Sequence, residues 1–220
     1  ISRKAGPPMR AVVRELPDRE RDGTQVSTAF VSDWAPLRFK VFSEDMNNAL
    51  KYCTAAGEFR SDMKVGLLLC RQQDVLTAEK KFIILNWMLP NAIKLHMDRL
   101  HVQPEKRPVV VPLFPAGDAC RNFEIPSSHH TTGVFGADMV LYAAAAPTEG
   151  TNNAWTMGCV ELPNGRPVVG MINIGPNSAT YSEFSVRIAA HEIAHALGFA
   201  LEVFEARNMT QMIPEVRGKK

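Results

Sequence analysis

The chain has 220 residues, 45% hydrophobic and 22% charged, values ordinary for a globular protein long enough to build one or two domains with a proper core. Its formal net charge is only +2, and basic residues have acidic neighbours, as in Arg19-Glu20-Arg21-Asp22, so charge excludes nucleic acid as a partner. No apolar run reaches the roughly 18 residues of a transmembrane helix, and the opening Ile1-Ser2-Arg3-Lys4 shows no apolar segment of a signal peptide.

Residues 1–33, with Pro7, Pro8 and Pro17 among alternating charges, read as an extended arm. Character changes at Trp34. Leu37 to Phe42 alternates apolar and basic residues, the pattern of a half-buried strand, and Ser43-Glu44-Asp45 ends it. A loop carrying Cys53 leads to Val65–Cys70, a short strand or core contact. Thr77 is the expected N-cap of a long helix, with Glu79 in its first turn and a broad apolar face from Phe82 to Leu100. Pro90 inside that pattern predicts a kink, because proline removes one backbone bond and crowds the preceding turn. His96 and His101 ride on this helix as ordinary helix residues.

Val109–Leu113 predicts a second strand, with Pro112 marking its end or an edge. His129-His130 read as extended backbone, where neighbouring side chains face opposite ways and chelate poorly. Met139–Ala145 is a nearly continuous apolar strand, as for a sheet interior. Trp155–Cys159 and Val168–Ile174 flank Pro163-Asn164-Gly165, a hairpin signal. Together these elements predict an α/β or α+β architecture, a mixed sheet backed by two helices. The four cysteines, Cys53, Cys70, Cys120 and Cys159, include no CxxC pair, which disfavours a metal knuckle and permits two disulfides. Asn208-Met209-Thr210 is an N-glycosylation acceptor sequence and points toward secretion.

The stretch that carries chemistry is Ala190-His191-Glu192-Ile193-Ala194-His195-Ala196-Leu197-Gly198. Ser182 is its expected N-cap, Glu183 suits the first turn, and apolar residues from Phe184 to Leu197 recur at helical spacing. On a helix, positions i and i+4 share a face, so His191 and His195 can present two imidazole nitrogens to one Zn²⁺. Glu192 points past the metal toward its water and suits a general base better than a ligand. Gly198 supplies a residue at which the chain can turn sharply. Neutral imidazole is the ligand form, so activity should fall as pH drops through the histidine range near ~6.5.

A catalytic zinc takes three protein ligands plus water, and no histidine follows His195. The compact metzincin pattern wants a histidine at position 201, where this chain has Leu201. The gluzincin pattern wants a glutamate on a following helix. Glu215 is the available residue, but it lies between Pro214 and a polar, glycine-containing end.

Ala190 to Phe199, Phe204-Glu205-Ala206-Arg207 and Pro214 to Lys219 resemble the leishmanolysin-type zinc peptidases, the surface metalloproteases of kinetoplastid protozoa. So do Leu37 to Asp45, Cys70 to Lys80, Leu89-Pro90 with Leu95-His96, and Trp155 to Ile174. The resemblance implies a metzincin-like mixed twisted sheet with a long backing helix and an active-site helix. It makes His191 and His195 the first two zinc ligands, Glu192 the general base, and Cys53–Cys70 and Cys120–Cys159 disulfides. The family's third histidine follows a long insertion, so residues 34–220 would be an amino-terminal catalytic subdomain that stops before that ligand and the methionine turn. Residues 1–33 would be the end of a pro-segment, without a cysteine to serve as inhibitory ligand.

The implied activity is zinc-dependent endopeptidase hydrolysis of protein and peptide substrates with broad specificity. It would require the carboxy-terminal remainder of the same protein, or a second chain, to supply the third ligand. The implied location is secreted or cell surface, with a lipid anchor at a later C-terminus, on a glycoprotein with a place in cell adhesion. The rival reading is a catalytically inactive protease-like adhesion or scaffold component. Substrate lying extended beside an edge strand would gain main-chain hydrogen bonds, and Ala137–Ala146 is the expected edge.

Overall fold

The structure, a computed structural model, describes residues 33–210. All of the 1–33 arm but Asp33 lies outside the described residues, as does Glu215.

β1 (Ala35–Pro36) and β2 (Phe39–Phe42) open the described chain. Next comes an antiparallel hairpin of β3 (Phe59–Ser61) and β4 (Leu67–Leu69), bracketed by the Cys53–Cys70 disulfide. β3 occupies what the sequence reads as loop. Leu67 and Leu69 are 71% and 54% exposed, so this apolar run faces solvent rather than the core.

The long helix forms with Thr77 as its cap, the side-chain oxygen accepting from the Lys80 N–H at 3.2 Å. It is built in three pieces, α1 (Ala78–Ile83), a π-helical turn over Ile84–Met88, and α2 (Leu89–Met97). In place of a simple kink, the chain widens just ahead of Pro90, so that the Leu89 N–H reaches back to the Ile84 carbonyl and the wider turn absorbs the donor that proline lacks. The helix is shorter than expected. His101 lies beyond it in β5 (His101–Val102), antiparallel to β1.

Val109–Leu113 is not a strand. Val109 makes one isolated bridge to Val134, and Pro108 and Pro112 carry no N–H to continue a ladder. Val109 and Val111 are nevertheless buried. His129 and His130 are also corrected: they lie on a short helix, α3 (Ser127–Thr131), not on extended backbone.

The remaining elements are β6 (Met139–Ala144), β7 (Ala154–Glu161), β8 (Pro167–Ile174), α4 (Glu183–Ala196) and α5 (Leu201–Ala206). The main sheet has the order β2-β6-β8-β7, with the first three strands parallel and β7 antiparallel to β8. It is the mixed sheet expected, in an α+β fold. Every residue of β6 is buried because both faces of the sheet are covered there. That position also overturns Ala137–Ala146 as the edge. β6 has a partner on each side, and the edges are β2 and β7.

Alternation along β6 sorts the core into two layers. Met139, Leu141 and Ala143 pack with Ile172 and Ile174 against Ile84, Met88, Leu89, Ala189 and Ile193 of the helices. Val140, Tyr142 and Ala144 face the other way, toward Met63, Val111, Phe123 and Cys120 of the Cys120–Cys159 disulfide. Among the described residues no helix is long and apolar enough to cross a membrane.

On α4 the buried stripe is Val186, Ala189, Ile193 and Ala196, whereas Phe184 is 67% exposed. Gly158 and Gly170 are directly opposite one another on β7 and β8. A Cβ on Gly170 would stand 2.8 Å from Met139 Cε and 3.0 Å from Ala196 Cβ. The missing side chains let the last turn of α4 lie close on the sheet, which brings His195 beside β7.

Candidate metal centre

α4 begins where local chemistry places it. Ser182 Oγ accepts from the Ser185 N–H at 3.2 Å, and Glu183 occupies the first turn, where the helix dipole favours an anion. Two turns on, His191 and His195 share a face. Their Nε2 atoms are 3.0 Å apart and the rings stand at 88° to one another.

The end of α4 orients the second histidine. Gly198 has φ +90°, its N–H donates to the His195 carbonyl at 2.9 Å, and the Phe199 N–H donates to the Ala194 carbonyl at 3.0 Å. This pair of bonds is a Schellman turn. It returns the Phe199 carbonyl to His195 Nδ1 at 2.9 Å. A carbonyl only accepts, so Nδ1 carries the proton and Nε2 of the neutral ring presents its lone pair. Contacts of this kind set the tautomer and the aim of metal-binding histidines.

A second tie comes from α2. His96 Nε2–H donates to the Ala190 carbonyl at 2.9 Å, across 94 residues of sequence, and joins the backing helix to α4 immediately before His191. No local pattern signals a contact over that separation.

Glu192 is half-buried. Burial pushes its carboxyl above the usual range, opposed by His191, His195 and Lys64. It shares a hollow with His191, Ile188 and the start of β7 at Ala154. Beyond His195 a cleft of about 490 Å³ opens between β7, at Thr156 to Gly158, and the first turn of α5. Another groove, of about 450 Å³, lies between the backing helix and α4 at Trp87, Leu95 and Val186 and contains none of these three residues. The chemistry argues for the histidine side.

The donor pair fits a metal. Two nitrogens bound tetrahedrally at about 2.0–2.1 Å stand roughly 3.3 Å apart, close to the 3.0 Å observed. Two bare lone pairs at that distance repel unless a proton or a cation lies between them. The set is incomplete, because no group of three or more His, Cys, Asp or Glu placed to hold a metal occurs among the described residues. Leu201, at the position where a compact metzincin carries its third histidine, opens α5.

A family model described as leishmanolysin matches residues 8–220. The chain belongs to the leishmanolysin family. A leishmanolysin of Leishmania amazonensis is 37% identical over 190 residues, covering 86% of this chain and 32% of that protein. A leishmanolysin of Leishmania major is 35% identical over 201 residues, covering 90% of this chain and 33% of that protein. A leishmanolysin homolog of Crithidia fasciculata is 34% identical over 189 residues, 85% and 29% of the two chains. The chain thus spans about a third of the length of these relatives. Leishmanolysins form a metallopeptidase family, which implies a metal cofactor. The two disulfides have the pairing that resemblance to leishmanolysins implies.

Proposed function

We propose that this chain is the amino-terminal catalytic subdomain of a zinc-dependent endopeptidase that hydrolyses proteins and peptides with broad specificity. The convergence of His191 and His195 Nε2 atoms beside a half-buried Glu192 carries the reading. His191 and His195 would hold Zn²⁺ together with a third ligand from the carboxy-terminal remainder of the protein or from a second chain. Bound zinc would supply Lewis acidity at the scissile carbonyl and lower the pKa of a water to about 7.

The rest is the work of the chain's own groups. His195, with its proton fixed on Nδ1 by Phe199, keeps Nε2 free as a donor atom. Glu192 accepts the proton of the attacking water and returns it to the leaving amine, and a carboxyl raised by burial is better matched to both transfers. β7, the edge strand beside α4, offers its outer main-chain groups to an extended substrate, which accounts for broad sequence tolerance. Two formed disulfides support a secreted or cell-surface location.

The test is metal analysis and a peptidase assay on the full-length protein and its Glu192→Gln variant. The expected result is stoichiometric zinc in both and a rate loss of about 10²–10⁴-fold in the variant. Equal cleavage by both would overturn the base assignment. Absence of bound zinc from the full-length protein would favour the inactive adhesion or scaffold component.

A further inference from the structure

The hollow beside Glu192 has a wall built from the loop that leads into β7. It holds about 260 Å³ and is lined by Thr151, Asn152, Asn153 and Ala154 together with Ile188, His191 and Glu192 of α4. Ala154 packs in the core layer that contains Ala189 and Ile193, so the hollow lies on the α4 face of the sheet.

The loop, residues 147–153, is tied down through its main chain. The Asn153 carbonyl accepts from the Gly175 N–H at 2.8 Å and from the Ser178 hydroxyl at 3.2 Å. The Asn152 carbonyl accepts from the Thr148 hydroxyl and, at 3.3 Å, from Asn177 Nδ2, while the Asn152 N–H donates to the Glu149 carbonyl at 3.0 Å. Arg71, paired with Asp74 at 2.7 Å, donates to the Gly150 carbonyl at 3.2 Å. The side chains are the reverse case. Among the described residues, those of Thr151, Asn152 and Asn153 make no hydrogen bond. One hydroxyl and two amides, all able to donate and accept, therefore stand uncommitted on a fixed loop beside the proposed base. Apart from His191 and Glu192, no titratable side chain among the described residues lines the hollow, and exposed Glu149 of the same loop lies outside its lining.

We propose that Thr151, Asn152 and Asn153 make this hollow a specificity subsite, which selects a neutral hydrogen-bonding side chain of the substrate over its apolar isostere. This rests on the peptidase reading above. A general base works within hydrogen-bond reach of the water it serves, so a hollow that contains Glu192 receives a side chain next to the bond being cleaved. A substrate carboxylate there would meet like charge, and an ammonium would pair with the base and withdraw it from the water. A neutral amide or hydroxyl can bond to the wall. An apolar isostere strips water from the three polar side chains and returns no hydrogen bond.

The experiment uses the full-length protein and peptides of one parent sequence carrying Gln or Met, Asn or Leu, and Thr or Val at each position in turn around the scissile bond. At one position the polar member of each pair should exceed its apolar isostere about two- to tenfold in kcat/KM, the worth of one hydrogen bond. Asn152→Leu and Asn153→Leu together should level that preference, and each single variant should lose part of it, which keeps the test readable if the double variant does not fold. Asn47→Leu, at an exposed residue following β2 on the opposite edge of the sheet, should leave it intact. The same order should appear in Kd when the peptides bind the Glu192→Gln protein. Cleavage by the wild type with no polar preference at any position would overturn the proposal. So would a uniform rate change for all peptides in the leucine variants, which would mean that the loop only supports the fold. A polar preference in Kd that the leucine variants abolish, without cleavage of any peptide by the wild type, would uphold the subsite and sink the peptidase reading.

Discussion

Alanine at Gly198 should weaken both the fold and the proposed metal site, and the two effects can be measured separately. Gly198 has φ +90°, in a region that costs a residue with a Cβ about 1–2 kcal/mol. The added carbon would also stand 3.3 Å from Pro167 Cγ, a tight contact that adds up to about 1 kcal/mol if the ring cannot move. A loss of about 1–3 kcal/mol lowers the unfolding midpoint of a domain this size by roughly 2–12 °C. The same change disturbs the turn that returns the Phe199 carbonyl to His195 Nδ1. Loss of such an orienting contact lowers metal affinity by about 10–100-fold. Thermal unfolding of the metal-free full-length protein reads the first effect, and zinc titration against a chromophoric chelator reads the second. Gly198→Asn should fall between wild type and alanine, because asparagine tolerates left-handed backbone. A destabilised Gly198→Ala protein that binds zinc as tightly as wild type would refute the role given to Phe199. An unchanged midpoint would refute the conformational argument.

Gly170→Ala places a carbon 2.8 Å from Met139 Cε and 3.0 Å from Ala196 Cβ. It should cost about 1–3 kcal/mol in urea unfolding, and a neutral result would show that α4 can lift from the sheet freely. His129 is buried, and its Nδ1 is 2.7 Å from the Tyr142 hydroxyl. Burial lowers its pKa below 6.5, Glu44 opposes this and His130 adds to it. The unfolded chain therefore binds this proton more readily, so the contribution is full above pH 6.5 and is lost as pH falls through the lower folded value. Metal-free His129→Gln protein should show a flatter decline in stability from pH 7 to 5 than wild type, and parallel declines would refute the assignment. Replacing Cys120 and Cys159 together by serine opens a loop of sequence separation 39. The expected loss is about 3–4 kcal/mol by denaturant titration, and a loss under about 1 kcal/mol would contradict the chain-entropy reasoning.

Much of the site was legible because its parts are local. The i, i+4 spacing of His191 and His195, the Ser182 cap and the Gly198 turn all act within one or two helical turns, and short-range sterics and hydrogen bonds decide them. The β7–β8 hairpin was legible for the same reason, through the turn at Pro163-Asn164-Gly165. The unbroken apolar run of β6 correctly marked a strand covered on both faces, and that observation by itself argued against making it an edge.

Other features depend on partners far along the chain. β3 has little hydrophobic signal and exists because β4 pairs with it inside a disulfide loop. Val109–Leu113 has the side-chain pattern of a strand, but its flanking prolines deny it a ladder. His96 reads as any helix residue until α4 packs against α2 and offers it the Ala190 carbonyl. Lys64 reads as one charge among 25 basic residues until the hairpin sets it over Trp155. The sequence alone determined that two histidines share one helix face with a glutamate between them in the chain, and it determined the helix that carries them, because backbone periodicity sets those relations. Only the tertiary structure decided which strand borders the histidines and which distant groups tie down the helix that carries them, because packing, not spacing, brings those residues together.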